Sequence, residues 1–149
     1  NGIEARERGY DEAIFLNLEG RIAEGPGENI CIIKDGVLQA NSKSESILEG
    51  ITRTSLLEIA PDLGLKTLVA PITKEDLFNA DEAFFCGTAA EISPMTKVAD
   101  MSENQENPPL YTIGTGKPGI LTLKLAEAYK EVTTGKNPKY EKWLAFVNE

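Results

Sequence analysis

The stretch NICIIKDGVLQA, residues 29–40, constrains this chain more than any other: two apolar runs are joined by Asp35-Gly36. An Asp-Gly pair tolerates the positive φ angles of a two-residue turn, and between apolar runs it is the strongest short-range signal for a β-hairpin. The first third of the chain is therefore committed to sheet. Upstream, EAIFLN (12–17) is nearly all apolar and predicts a strand buried on both faces, with Glu19-Gly20 turning the chain into RIA. LKTLVAPI (65–72) and EAFFCG (82–87) read as two more strands.

Between the strands the apolar period lengthens. Leu56, Leu57, Ile59 and Ala60 fall at helical spacing, with Thr52 or Thr54 as candidate N-caps. Pro61 should stop or kink that helix, because it removes a backbone donor and crowds the preceding turn. KEDLFNA (74–80) predicts a short helix, and KPGILTLKLAEAYKEVTTG (117–135) an amphipathic one starting after Pro118 and ending near Gly135. YEKWLAFVNE (140–149) predicts a closing helix that packs Trp143, Leu144 and Val147 on the body, and SENQENPP (102–109) a polar loop. At the start, IEARERG reads as the last turns of a helix ended by Gly9; with no initiator methionine, further residues are expected upstream.

Composition narrows the function. A chain of 149 residues suits one domain and can bury about 68–70% of its unfolded surface, so no metal or disulfide is needed to hold it. Its 24 acidic and 15 basic residues give a net charge of −9, which repels phosphodiester backbones and anionic lipid; neither nucleic acid nor membrane is an expected partner. Cys31 and Cys86 sit in apolar runs without CxxC spacing and read as small buried hydrophobes, in keeping with a reducing, cytoplasmic setting. The absence of histidine excludes Ser-His-Asp and Cys-His nucleophiles and the usual imidazole metal site, so no metal is expected.

Three short stretches remain: EGPGEN (24–29), LEGITR (48–53) and CGTAAE (86–91). Each ends a strand or begins a helix and sets backbone N–H groups beside small residues. At LEGITR, Gly50 allows close backbone approach while the amides of Ile51 and Thr52 open a helix, where unsatisfied donors and the dipole favour an anion. The stretch lacks the GxxxxGK[ST] pattern of a nucleotide loop. CGTAAE places Thr88, Ala89 and Ala90 at the end of a buried strand, where α/β sheets collect ligands. Each has an ordinary structural account too: Thr52 as a helix cap, CGTAAE as a strand exit, and Glu24 as a solvated turn residue.

In this order and spacing, together with EARERGYDEAIFL, ADEAFFCGTAAEISP and the closing Y…WLAFVN, the stretches resemble the fold-type IV pyridoxal-phosphate enzymes, most closely the branched-chain amino-acid aminotransferases. The resemblance covers nearly the whole chain. It implies an α/β fold with a mixed sheet partly closed into a barrel and flanked by helices, residues 1–149 being the C-terminal cofactor-binding domain. It further implies that Glu24 faces the pyridine nitrogen of pyridoxal 5′-phosphate, that Leu48 packs on the ring, and that Ile51, Thr52 (amide and hydroxyl) and Thr88 hold the phosphate. Gly27 would leave room for substrate, and Ala89 and Ala90 would receive its α-carboxylate. By the same resemblance the enzyme is expected to be a homodimer or higher homo-oligomer that moves the amino group of a branched-chain L-amino acid to 2-oxoglutarate.

The resemblance also implies absences. The Schiff-base lysine lies upstream of Asn1 together with a smaller N-terminal domain, and none of the eleven lysines here occupies its position, so this chain alone is expected to be inactive and without bound cofactor. Departures from the family pattern are Cys31 in place of an aromatic, QAN at 39–41 where threonine is common, and Pro61 behind the phosphate cup. Two alternatives stand beside this reading. One is a D-amino-acid aminotransferase or aminodeoxychorismate lyase of the same superfamily; the other is a non-catalytic ligand-binding or assembly module.

Overall fold

Asp35 and Gly36 carry φ angles of 50° and 74°, the pair of positive values that the hairpin turn demands. The turn joins β1 (Asn29–Lys34) to β2 (Val37–Ala40) with Lys34 opposite Val37. On the other side of β1 lies β4 (Glu82–Gly87), antiparallel, with Asn29 opposite Cys86. β3 (Lys66–Val69) runs parallel to β2 and β5 (Glu91–Met95) antiparallel to β4, giving a mixed sheet of order β3-β2-β1-β4-β5. The computed structural model describes residues 2–45, 47–89 and 91–145.

Alternation along β1 sends its side chains into two cores. Ile30 and Ile32 join Ile22, Ile72, Leu77 and Phe85 on one face. Cys31 and Ile33 join Leu56, Phe84, Cys86 and Leu125 on the other, beneath α2 (Ile51–Ile59) and α4 (Ile120–Thr133). Both cysteines are buried and free, as expected of small hydrophobes. The Cys86 thiol beside it and burial hold Cys31 well above the ordinary thiol range, so it is not a thiolate at neutral pH.

Several expectations need correction. The partial barrel does not form among the described residues: β3 and β5 are open edges, β3 is exposed along its length, and β6 (Lys97–Ala99) pairs with β7 (Leu110–Thr112) in a separate ribbon. Closure requires strands paired to both edges. Residues 12–17 are not a strand buried on both faces; Phe15 is half-exposed, and the segment pairs irregularly with 21–24 through Phe15 N–H to Glu24 O (2.8 Å) and Ala23 N–H to Phe15 O (2.8 Å). The closing helix is a 3-10 turn, Pro138–Trp143, with Tyr140 rather than Trp143 fully buried, and Val147 lies outside the described residues. Neither β5 nor the β6–β7 ribbon was anticipated.

Other elements match. The opening helix α1 (Gly2–Glu7) gives way to Gly9 at φ 87°, α2 hands over at Pro61 to a 3-10 turn, and α3 (Lys74–Phe78) starts on a Thr73–Asp76 capping box. α4 takes its cap from a strand: the Glu82 carboxylate accepts from Leu121 N–H (3.3 Å) and Thr122 N–H (2.7 Å). No helix among the described residues is long and apolar enough to cross a membrane.

One ion pair fixes the approach to the site. Arg21 Nε meets Glu45 Oε2 at 2.6 Å, and Asn17 Nδ2 donates to the same oxygen at 2.7 Å. The Arg21 hydrogen bond holds the Glu45 carboxyl below the usual carboxylate range. A carboxylate with a depressed folded pKa contributes fully above its unfolded value, about 4.3, and loses that contribution as pH falls through the folded value. Glu45→Gln should thus be less stable than wild type at pH 7 and converge with it in acid, which urea unfolding from about pH 5 downward will read.

Candidate functional site

Glu24 sits where the backbone is held from several directions. Phe15 N–H donates to Glu24 O, Ile22 N–H donates to Ile72 O at 2.9 Å, and Asn41 Nδ2 donates to Ile22 O (2.7 Å) and Ala23 O (2.9 Å). The turn that follows closes on itself, Gly25 N–H to Glu28 O at 2.9 Å and Glu28 N–H to Gly25 O at 3.3 Å. Gly25 is obligatory there, since a Cβ would lie 2.7 Å from the Phe85 ring. Gly27 has φ 72° with open space around it.

The Glu24 side chain reaches the second stretch. Its Oε2 accepts from Leu48 N–H at 3.1 Å, and its other oxygen has no hydrogen bond among the described residues. Leu48 O in turn accepts from Asn29 Nδ2 (2.7 Å), and Gly50 N–H donates to Asn29 Oδ1 (3.0 Å). Gly50 is the N-cap of α2 and supplies no side-chain cap, so the first amides of the helix, at Ile51 and Thr52, meet no capping group. Neither threonine caps as expected: Thr54 Oγ1 bonds back to Gly50 O at 3.2 Å, and the buried Thr52 hydroxyl lies 3.3 Å from the Tyr129 hydroxyl on α4. Leu48 and Ile51 project outward, each 81% exposed.

The third stretch joins through backbone contact. A Cβ on Gly87 would meet Gly27 O at 3.0 Å, so the end of β4 lies directly against the Gly25–Glu28 turn. Thr88 and Ala89 follow as an exposed turn, and Ala90 lies outside the described residues. Glu24, Leu48, Ile51 and Thr52 are thus linked through hydrogen bonds and short backbone steps, Gly27 is linked to Gly87 by packing, and Thr88 and Ala89 adjoin them only through the chain.

A cavity of about 860 Å³ lies elsewhere, bordered by Tyr10, Ile14, Glu28, Lys74 and Phe85 among others, and none of the sequence-selected residues among the described ones lines it. Glu28 borders it with one buried oxygen unpartnered, and burial raises its pKa, with Glu12 adding to the shift. Sequence reasoning missed Asn29, Asn41 and Tyr129. The first two had a readable signal, polar residues at the ends of apolar runs, where a buried amide can serve backbone groups of a neighbouring loop.

Fold and site define a class. The sequence profile described as amino-transferase class IV matches residues 2–98, and the chain belongs to this family. Within it, a probable branched-chain-amino-acid aminotransferase of Aquifex aeolicus is 42% identical over 145 residues, covering 97% of this chain and 43% of the relative. The branched-chain-amino-acid aminotransferase of Pseudomonas aeruginosa is 41% identical over 144 residues, 97% of this chain and 43% of its own. Among solved structures, a branched-chain amino acid aminotransferase from T.th., complexed with N-(5′-phosphopyridoxyl)-L-glutamate, superposes with a TM-score of 0.87 at 43% identity, over 99% of this chain and 46% of that one. The chain spans a little under half the length of these relatives, and the resemblance read from its motifs is borne out.

Proposed function

We propose that this chain is the cofactor-binding half of a longer pyridoxal-phosphate-dependent aminotransferase, which moves the amino group of a branched-chain L-amino acid to 2-oxoglutarate. The observation that carries the reading is the connection of Glu24 to Leu48 N–H on a strap whose far end, Gly50, opens α2 with uncapped amides. A carboxylate at one end and free helix amides at the other suit a flat cationic heterocycle with an anionic tail. The match of the neighbouring sequence to relatives named as branched-chain aminotransferases supports the substrate class.

In this reading the Ile51 and Thr52 amides and Thr88 bind the phosphate, and the exposed Leu48 side chain covers a ring face. Glu24 accepts from the ring nitrogen, favouring its protonated form by a charge-assisted hydrogen bond. Bound there, pyridoxal phosphate supplies an electron sink for the charge left when the substrate α-proton departs. Gly27 leaves space beside the ring, and the backbone at Ala89 and Ala90 receives the substrate carboxylate. The covalent lysine and most of the side-chain pocket belong to residues outside this chain.

The full-length protein should purify with an absorbing cofactor and transfer amino groups from leucine, isoleucine or valine to 2-oxoglutarate, while residues 1–149 alone transfer none. Transfer confined to D-alanine, or lyase activity on aminodeoxychorismate, would move the protein to another branch of the superfamily. A full-length protein that retains no cofactor would overturn the reading.

A further inference from the structure

Asn29 has no part in the reading above, yet its side chain is the best-connected group beside the strap. It begins β1, is 5% exposed, and spans the strap with both halves of its carboxamide, to Leu48 O and Gly50 N–H. Leu48 therefore has its C=O fixed by Asn29 and its N–H bound to Glu24. Gly50 is matched to this clamp, because a Cβ there would fall 2.6 Å from Asn29 Oδ1. Since Gly50 offers no side-chain cap, the start of α2 is referenced to β1 through Asn29.

The two handles of the proposed site are thus set from one side chain. We propose that Asn29 is a positioning residue that fixes the separation between the Glu24 carboxylate and the amides of Ile51 and Thr52, so that the ring nitrogen and the phosphate of one pyridoxal phosphate are engaged together. The inference rests on the functional reading above. Asn29 acts through the strap: its Nδ2 bonds Leu48 O and its Oδ1 accepts from Gly50 N–H. A rigid spacing holds both contacts without an ordering cost at binding, whereas a loose strap satisfies one at a time.

The test uses the full-length protein and two non-covalent probes, pyridoxamine 5′-phosphate and pyridoxamine, whose affinity ratio measures what the phosphate adds. In Asn29→Ala this ratio should fall about tenfold or more, as expected when a small misplacement uncouples two contacts. Hydrogen exchange of the cofactor-free protein should accelerate over residues 47–52 and not over β1 or β4. Gly50→Ala, which keeps Asn29 but displaces its oxygen, should lower the ratio in the same direction and guards against a misfolded Asn29→Ala. Glu24→Gln should weaken both probes and leave their ratio near wild type. An unchanged ratio in folded Asn29→Ala and Gly50→Ala, with only stability lowered, would overturn the inference and leave the functional reading intact. Wild-type protein that binds neither probe would overturn that reading and, with it, this one.

Discussion

Glu24→Gln in the full-length protein is expected to keep the fold and most of the cofactor while slowing α-proton removal about ten- to a hundredfold. The size follows from a hydrogen bond to a charged group, about 1.5–3 kcal/mol, at about 1.4 kcal/mol per tenfold in rate. Glutamine is nearly isosteric, and its amide oxygen can still accept from Leu48 N–H, so the strap keeps its place. That choice turns the NH₂ group toward the ring, where a donor favours the unprotonated nitrogen that a carboxylate disfavours. The affected step is proton transfer, so single-turnover rates with α-deuterated leucine should show a larger isotope effect than wild type wherever another step limits the wild-type enzyme. Unchanged turnover with retained cofactor would remove Glu24 from the ring nitrogen.

The elements that the sequence made legible are those whose cause is local. Asp35-Gly36 dictates its hairpin whatever surrounds it, Pro61 ends α2 by its own geometry, and Gly9 and Gly135 close helices through positive φ. The misses have causes further away in the chain. β5 contains Pro94 and a polar alternation that suits an edge, and its existence depends on pairing with β4, not on its own composition. Residues 12–17 are apolar enough for a buried strand, but their pairing with 21–24 leaves Phe15 and Leu18 exposed.

The same division holds in the candidate site. The residue types of a carboxylate, a glycine turn and a helix start could be read in order, and the resemblance gave them roles. Their mutual placement could not be read, because Asn29 lies 19 residues from Leu48 and Tyr129 lies 77 from Thr52. Sequence reasoning assigned Thr52 to its cup through amide and hydroxyl alike; the fold turns the hydroxyl toward α4 and leaves the helix-opening amide as the group the proposal needs.

The largest loss of stability is expected at Asn41. Asn41 is 2% exposed, and its carboxamide makes three hydrogen bonds: Nδ2 to Ile22 O and Ala23 O, and Oδ1 from Ile72 N–H at 2.9 Å. Its own carbonyl accepts from the buried Arg53 Nη2 at 2.5 Å. Asn41→Leu fills a similar volume but strips partners from two carbonyls and one N–H inside the protein. At about 1–3 kcal/mol for each of the three buried groups left unsatisfied, the variant should lose about 3–9 kcal/mol, a large share of the roughly 5–15 kcal/mol that holds an ordinary domain together. Asn41→Asp should also be costly, because it keeps the acceptor for Ile72 but turns a carboxylate oxygen toward two carbonyls. Urea unfolding measures both, and a loss below about 1 kcal/mol for Asn41→Leu would mean that water reaches these groups. The consequence extends to function, since Ile22 and Ala23 lead directly into Glu24. A variant that still folds should show faster amide exchange at residues 22–25 and weaker pyridoxamine 5′-phosphate binding, whereas Glu82→Ala, which uncaps α4 at a distance from the strap, should lower stability by about 1–2 kcal/mol and leave exchange at 22–25 unchanged.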